Sequence, residues 1–404
     1  MNSTTSSLFW IVLCSVLAPL IAGLVPRKLV SEVVLLLVFG VLIGPHVFGW
    51  AETTEPIDLL RELGLGLLFL LAGYEIELHE LSGAGGRRAW WTWLACLAAA
   101  LLLTWLFGLS GAIHAEVAVS IALTSTSLGT LLPILKDSGM LGTRVGNAVM
   151  HHGAFGELGP IVAMALLLGS RGPVQSLAVL MFFGLAAVGV SMFATQLRRE
   201  GSKLLTVIRA GAETTGQTVV RLSMLLLVSL GVLAIIVDLD VVLGAFAAGI
   251  VLRRLLPSGH ETLELRLNGL AFGFLIPVFF VTSGMAIDPA AVASEPGVLA
   301  VFVALIVLVR GGLVLASERV HARRTESAQR IPTRDSVAVA MYAATGLPII
   351  VAVTSSAVSA GQMSTQNASV LVAGGAITVL ACPLVATLLL GRSHEQAKAA
   401  APPA

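Results

Sequence analysis

Glu157 stands in the run HHGAFGELGPIVAMALLLG, His151 to Gly169, which has no other acidic or basic residue after the two histidines. A carboxylate is expensive in apolar surroundings, and intramembrane ions face a cavity or a partner. Arg310 is the second such charge, near the middle of the apolar stretch 294–318. A central arginine costs at least about 2.5–3.5 kcal/mol even on the lenient insertion scale. One carboxylate and one guanidinium near the same depth suit a simple chemistry. Glu157 would hold a small cation when ionised and release it when protonated, with Arg310 compensating charge. The alternative is a fixed structural pair.

The neighbours favour a carboxylate reached by solvent. Gly153, Gly156 and Gly159 flank it, Pro160 follows, and small residues let helices or a hydrated ion approach the backbone. His151 and His152 read as lining or capping residues, because the span supplies no further ligands at metal spacing; His152 is a supporting candidate that titrates near neutral pH. Glu75 and Glu77, in LLAGYEIELHE, fall at the inner end of another span, and Glu75 is a minor candidate for a supporting ion contact. Cys14, Cys96 and Cys382 lie singly in apolar runs and read as small core residues. No metal site and no cofactor are expected.

The elements that carry these residues are apolar throughout. Of 404 residues 56% are hydrophobic and 12% charged, against about a quarter charged in soluble domains. The apolar runs recur from residue 8 to residue 390, which makes the chain an all-α polytopic membrane protein. About thirteen crossings are expected, near 8–25, 29–45, 57–78, 89–110, 115–136, 143–169, 173–196, 219–237, 240–256, 264–285, 294–318, 332–357 and 366–390. With the N-terminus outside, all but Arg61, Arg171 and Arg310 of the 24 Lys and Arg residues fall inside, as the positive-inside rule requires. The expected location is the cell membrane, with a cytoplasmic C-terminus. Residues 1–391 form the membrane domain in two halves, joined by an inner linker at 198–221; 392–404 reads as a short disordered tail. A net charge of +1 and the lack of basic clusters with aromatics argue against a nucleic-acid partner.

An internal echo links the halves. TLLPIL at 130–135 resembles TGLPII at 345–350, each mid-span and in opposite predicted orientation. Proline removes a helical hydrogen bond where lipid offers no replacement. Inverted repeats with two crossing discontinuous helices at the midplane are a transporter design, in which half-helix ends and freed backbone groups face an ion. Thr124, Ser125, Thr126, Thr130 and Pro133 in one copy, and Thr345, Gly346 and Pro348 in the other, are the expected ion path. Ordinary proline kinks repaired by Ser and Thr are the plainer account.

The motifs resemble the monovalent cation:proton antiporter-2 family, which includes the Kef-type potassium efflux systems. LLFLLAGYEIEL (67–78) is similar to its G-L-E segment, ALTSTSLGTLLPIL (122–135) to its broken helix, and LGAFAAGIVL (243–252) and FLIPVFFVTSGMAID (274–288) to two further motifs. The resemblance implies a homodimer of thirteen-helix protomers in the lipid bilayer, with Glu157 as the ion- and proton-binding carboxylate and Arg310 as the basic residue. The family usually has Asp there, preceded by Asp, Asn or Gln; Gly156-Glu157 departs from that. The function implied is secondary active exchange of Na⁺ or K⁺ for protons, with one carboxylate and so electroneutral, and no enzymatic activity. A symporter or efflux carrier of an organic solute, or a non-transporting sensor, would use the same fold. An intramembrane hydrolase is disfavoured, since H-E-x-x-H and G-x-G-D are absent, and no T-V-G-Y-G filter suggests a channel.

The topology is checked by labelling single cysteines on a background without native ones. Gln362→Cys should react with an impermeant reagent from outside and Leu205→Cys only from inside; outside labelling at 205 would overturn the thirteen-span arrangement.

Overall fold

The structure, a computed structural model, describes residues 3–24, 31–76, 81, 83–108, 115–137, 139–169, 173–199, 217–255, 261–324 and 332–399. No strand occurs among them. The helices are α1 (Ser3–Leu24), α2 (Glu32–Ile43), α3 (Glu55–Glu75), α4 (Gly83–Gly108), α5 (Glu116–Leu123), α6 (Leu128–Asp137), α7 (Arg144–Leu167), α8 (Pro173–Arg199), α9 (Thr218–Ile236) and α10 (Val241–Leu255). They continue as α11 (Glu261–Leu270), α12 (Ile276–Met285), α13 (Pro289–Ser294), α14 (Pro296–Leu305), α15 (Leu313–Arg324), α16 (Thr333–Ala343), α17 (Leu347–Ser359) and α18 (Thr365–Ala399). Wider π-helical turns join α11 to α12 (Ala271–Leu275) and α14 to α15 (Ile306–Gly312).

Each predicted crossing falls on one of these helices or on an interrupted pair. Among the described residues, six helical stretches are long and apolar enough to cross a membrane by length and composition, including Gly83–Gly108, Pro296–Arg323 and Thr333–Ser359. Residues 200–216 of the expected linker and 400–404 of the tail lie outside the described residues. The rest of that tail differs from expectation: α18 runs on to Ala399, because Glu, Gln, Ala and Lys are strong helix formers.

The chain divides into two compact units. The first comprises Met1–Pro19, Leu36–Glu77 and Ile161–Ala286, and the second Leu20–Leu35, Leu78–Pro160 and Ile287–Ala404. The first is built on backbone-to-backbone helix contacts. A Cβ at Gly73 of α3 would run into Phe246 O of α10, and one at Gly249 into Leu70 O. Gly40 and Gly284 make the same reciprocal approach between α2 and α12, against Val281 O and Leu37 O. Where lipid removes the hydrophobic drive between helices, close approach through small residues supplies the contact. Three of the four quoted motifs thus serve packing in this unit.

The second unit holds two interrupted helices. α5 stops at Leu123 and α6 resumes at Leu128; α16 stops at Ala343 and α17 resumes at Leu347 with Pro348 in its first turn, where a missing N–H does no harm. The first break lies at Thr124–Ser127, not at Pro133, which sits within α6; the side chain of Pro133 lies outside what is described. The hydroxyls explain the stop. Thr124 Oγ1 donates to Ile121 O at 2.8 Å, Ser125 Oγ to Ala122 O at 2.7 Å, and Thr345 Oγ1 to Tyr342 O at 2.7 Å. Local hydroxyls take the orphan carbonyls of a helix end, so the chain can leave the helix without stranding them. The TLLPIL echo therefore identifies the right helices but not the position of the first break.

The glycine contacts are open to test. Gly249→Leu would force side-chain volume into the Leu70 backbone, an overpacking that costs about 1–3 kcal/mol or more. It should lower the unfolding temperature of the detergent-purified protein. Gly269→Leu, at a glycine with nothing within 4 Å of an added Cβ, should not.

Candidate functional site

The two breaks meet in the second unit. Ser127 N donates to Thr345 O at 2.6 Å, and Ser125 Oγ to Gly346 O at 3.3 Å. Gly346 has no side chain because Ser125 occupies the place where its Cβ would go. At this crossing the carbonyl ends of α5 and α16 and the N–H ends of α6 and α17 lie together. Half-helix ends carry partial charges, negative at carbonyls and positive at N–H groups. Thr124, Ser125, Thr126 and Thr345 are all buried.

Glu157 is placed beside the crossing by its own backbone. Thr126 N donates to Gly156 O at 2.8 Å, so the turn of α7 that carries Glu157 is bonded directly to the first break. The carboxylate is 3% exposed. Residues four apart share a helix face, and Gly153, four before Glu157, abuts Leu128 at the start of α6. Thr130, one turn into α6, closes that helix end by donating to Ser127 O at 3.1 Å. The chemistry on offer is one ionisable carboxylate on the turn bonded to a break that carries hydroxyls and backbone carbonyls, and oxygen ligands suit a hard cation. Among the described residues no group of three or more His, Cys, Asp and Glu could hold a metal ion.

Arg310 is fully buried, in the π-helical turn between α14 and α15. Its Nε donates to Thr126 Oγ1 at 3.0 Å, its Nη2 to His152 O at 2.6 Å, and its Nη1 approaches Cys96 Sγ at 3.9 Å. Thr126 Oγ1 passes the chain on by donating to Ala343 O at 2.5 Å, the last residue of α16. The guanidinium therefore spends these N–H groups on the broken-helix scaffold and on α7 backbone rather than on Glu157, so no direct pair is seen between them. Gly156 explains itself here: a Cβ would collide with Arg310 Nη2 and with Thr126. The position before the carboxylate is empty of side chain because the arginine fills it.

One buried group escaped the sequence reading. Glu318, two turns beyond Arg310, is 1% exposed. Its Oε1 lies 2.8 Å from Arg88 Nη2 and 2.9 Å from His152 Nε2. It is the last residue of the predicted crossing 294–318. Its spacing from Arg310 by eight residues, which returns close to the same helix face, was the available signal. His152 thus joins two charged groups, Arg310 through its carbonyl and Glu318 through its ring. Glu75 is half-buried at the end of α3 in the first unit; the residues at this crossing belong to the second.

The chain is similar to known proteins in sequence and in fold. The chain matches the family described as sodium/hydrogen exchanger, transmembrane, over residues 12–391. It is 25% identical over 267 residues to a probable Na(+)/H(+) antiporter, GerT, of Bacillus cereus, covering 64% of this chain and 68% of that one. It is 26% identical over 348 residues to the chloroplastic K(+) efflux antiporter 1 of Arabidopsis thaliana, covering 82% of this chain and 28% of the relative. The chain therefore spans under a third of the plant protein's length. The fold is similar to that of the sodium proton antiporter MjNhaP1 from Methanocaldococcus jannaschii at a TM-score of 0.61, with 15% identity and coverage of 96% and 100% of the two chains.

If Arg310 is the tie that holds the crossing, Arg310→Ala leaves a cavity and strips partners from Thr126 and His152 O. Together these should cost about 2–5 kcal/mol. The purified variant should melt well below the wild type, with Arg310→Lys recovering part of the loss. An unchanged melting temperature for the alanine variant would contradict the assigned role.

Proposed function

The chain belongs to the sodium/hydrogen exchanger transmembrane family, and on that footing we propose that it exchanges a monovalent cation, Na⁺ or K⁺, for protons by alternating access at Glu157. The observation that carries the assignment is the hydrogen bond from Thr126 N to Gly156 O, which ties the carboxylate's turn to the helix break. Ionised, Glu157 binds the cation with help from backbone carbonyls and from hydroxyls of the Thr124–Ser127 and Thr345–Gly346 breaks. Protonated, it loses the charge that holds the cation. One group serving both loads makes their binding mutually exclusive, which is what couples the two gradients. Arg310 remains charged throughout and keeps the crossing assembled.

The charges seen near α7 fit an electroneutral cycle. Among the described residues Arg310 is a buried cation and Glu157 and Glu318 are buried anions, with the partly exposed Arg88 paired to Glu318. A proton or a monovalent cation adds the same single charge to that set. A second carboxylate at position 156 is excluded by the space Arg310 and Thr126 occupy. The working form in this reading is a homodimer in the cell membrane, with the N-terminus outside and the C-terminus cytoplasmic.

Two experiments follow from this reading. Glu157→Gln should insert and melt like the wild type but lose proton movement driven by Na⁺, K⁺ or Li⁺ gradients in proteoliposomes; wild-type rates would end the assignment. Glu157→Asp should keep partial activity. For stoichiometry, valinomycin at fixed potassium sets the potential while a sodium gradient drives exchange, once sodium transport is established. Each uncompensated charge would couple transport to voltage at about 2.3 kcal/mol per 100 mV. The proton gradient reached should not depend on the potential, and dependence on it would show an electrogenic cycle.

A further inference from the structure

The face of α7 next to the one that bears Glu157 carries a second polar column that ion exchange at Glu157 does not use. His152, Gly156 and Gly159 recur at i, i+4 and i+7, which is one helix face. They meet Glu318, Arg310 and Trp93 respectively. The column is continuous by hydrogen bonds. Arg88, whose side chain is 22% exposed, bonds Glu318; Glu318 bonds His152; the His152 carbonyl bonds Arg310; Arg310 bonds Thr126, and Thr126 bonds Ala343 at the end of α16. It runs from a partly exposed guanidinium to the crossing of the interrupted helices.

Among the described residues, two buried atoms in this column have no hydrogen-bond partner, His152 Nδ1 and Glu318 Oε2. Buried polar atoms are nearly always satisfied, so two orphans on a bonded imidazole–carboxylate pair mark a place where a proton can be gained. With Nε2–H donated to Glu318, Nδ1 is a bare lone pair. A proton bound there turns the ring into a cation held by the Glu318 carboxylate. We propose that His152 and Glu318 form a second proton-binding site, separate from Glu157, through which acidity at the Arg88 face weakens cation loading at the crossing. The inference rests on the exchange reading above.

The groups facing the imidazole give the direction. Glu318 from α15 is the anion in contact; Arg88 from α4 and Arg310 from the π turn are cations; His321 lies one turn past Glu318 and acts on the same carboxylate. Protonation at His152 adds a positive charge to the residue whose carbonyl receives Arg310, close along α7 to Glu157. A cation bound at Glu157 is then repelled, so acid on that face slows exchange. Histidine suits such a switch because its imidazole can carry or lose a proton at a ring nitrogen while the other nitrogen keeps its hydrogen bond.

The test uses opposite shifts. Initial rates of exchange are measured in proteoliposomes with pH varied at one face at a time, driven by sodium or potassium, whichever the wild type exchanges. Glu318→Gln removes the anion that holds the imidazolium, so the pH midpoint at the Arg88 face should move acidward by about one unit, a tenfold change in proton affinity. Arg88→Gln removes an opposing cation and should move it alkaline. On a His152→Gln background neither change should shift the midpoint further. A merely structural role would lower all rates without opposite displacements. If Glu318→Gln does not reach the membrane, Arg88→Gln with and without His152→Gln still decides. Superimposable pH profiles, shifts of the same sign, or shifts that survive His152→Gln overturn the proposal. Failure at Glu157 reads differently, as exchange retained in Glu157→Gln.

Discussion

A guanidinium with no water around it must find its acceptors in the protein, and Arg310 finds them on three separate elements. Thr126 belongs to the first helix break, His152 to α7 and Cys96 to α4. Thr126 in turn reaches Ala343 at the second break. Leaving a buried charge or its acceptors unpaired costs more than the bond itself gains, so each of these elements is held to the same point. The wider turn at Ile306–Gly312 belongs to this arrangement, since π turns accompany functional positions and shift a side chain's register relative to a regular helix. Gly156 follows from it as well, because the arginine leaves no room for a side chain.

With the arginine committed to the scaffold, the exchangeable charge is free to sit elsewhere. Gly156 and Glu157 are consecutive, and consecutive residues on an α-helix point about 100° apart. One face of α7 meets Arg310 and Glu318, while the neighbouring face, shared by Gly153 and Glu157, meets the start of α6 at Leu128. A direct ion pair would have made Glu157 a competitor of its own substrate, because the guanidinium would have to be displaced for a cation to bind. Separation by one helical face lets Arg310 compensate charge without blocking the carboxylate. The first unit shows a different use of small residues. At Gly73 with Gly249 and Gly40 with Gly284 the missing side chains bring backbones together and no chemistry is involved. Four quoted motifs thus divide by physical role, three into packing and one into the break.

Much of this was legible in the amino-acid order. Apolar runs with basic residues confined to alternate connections identify a polytopic helical protein, because lipid tolerates only chains that satisfy their own backbone. Glu157 and Arg310 were legible for the same reason: a charge inside an apolar run conflicts with its surroundings and marks itself. The Thr-Ser-Thr-Ser string at 124–127 indicated an interruption, since hydroxyls compete locally for helix carbonyls. Tertiary structure decided what depends on neighbours distant in the chain. The break falls at that string and not at Pro133, because Gly156 O and Thr345 O are there to receive the N–H groups it frees. Arg310 bonds Thr126 and a carbonyl instead of Glu157, and Glu318 is buried because Arg88 and His152 close over it. A residue's own type sets what it can donate, accept or ionise; whether it meets water or a partner is set by elements that no local window contains.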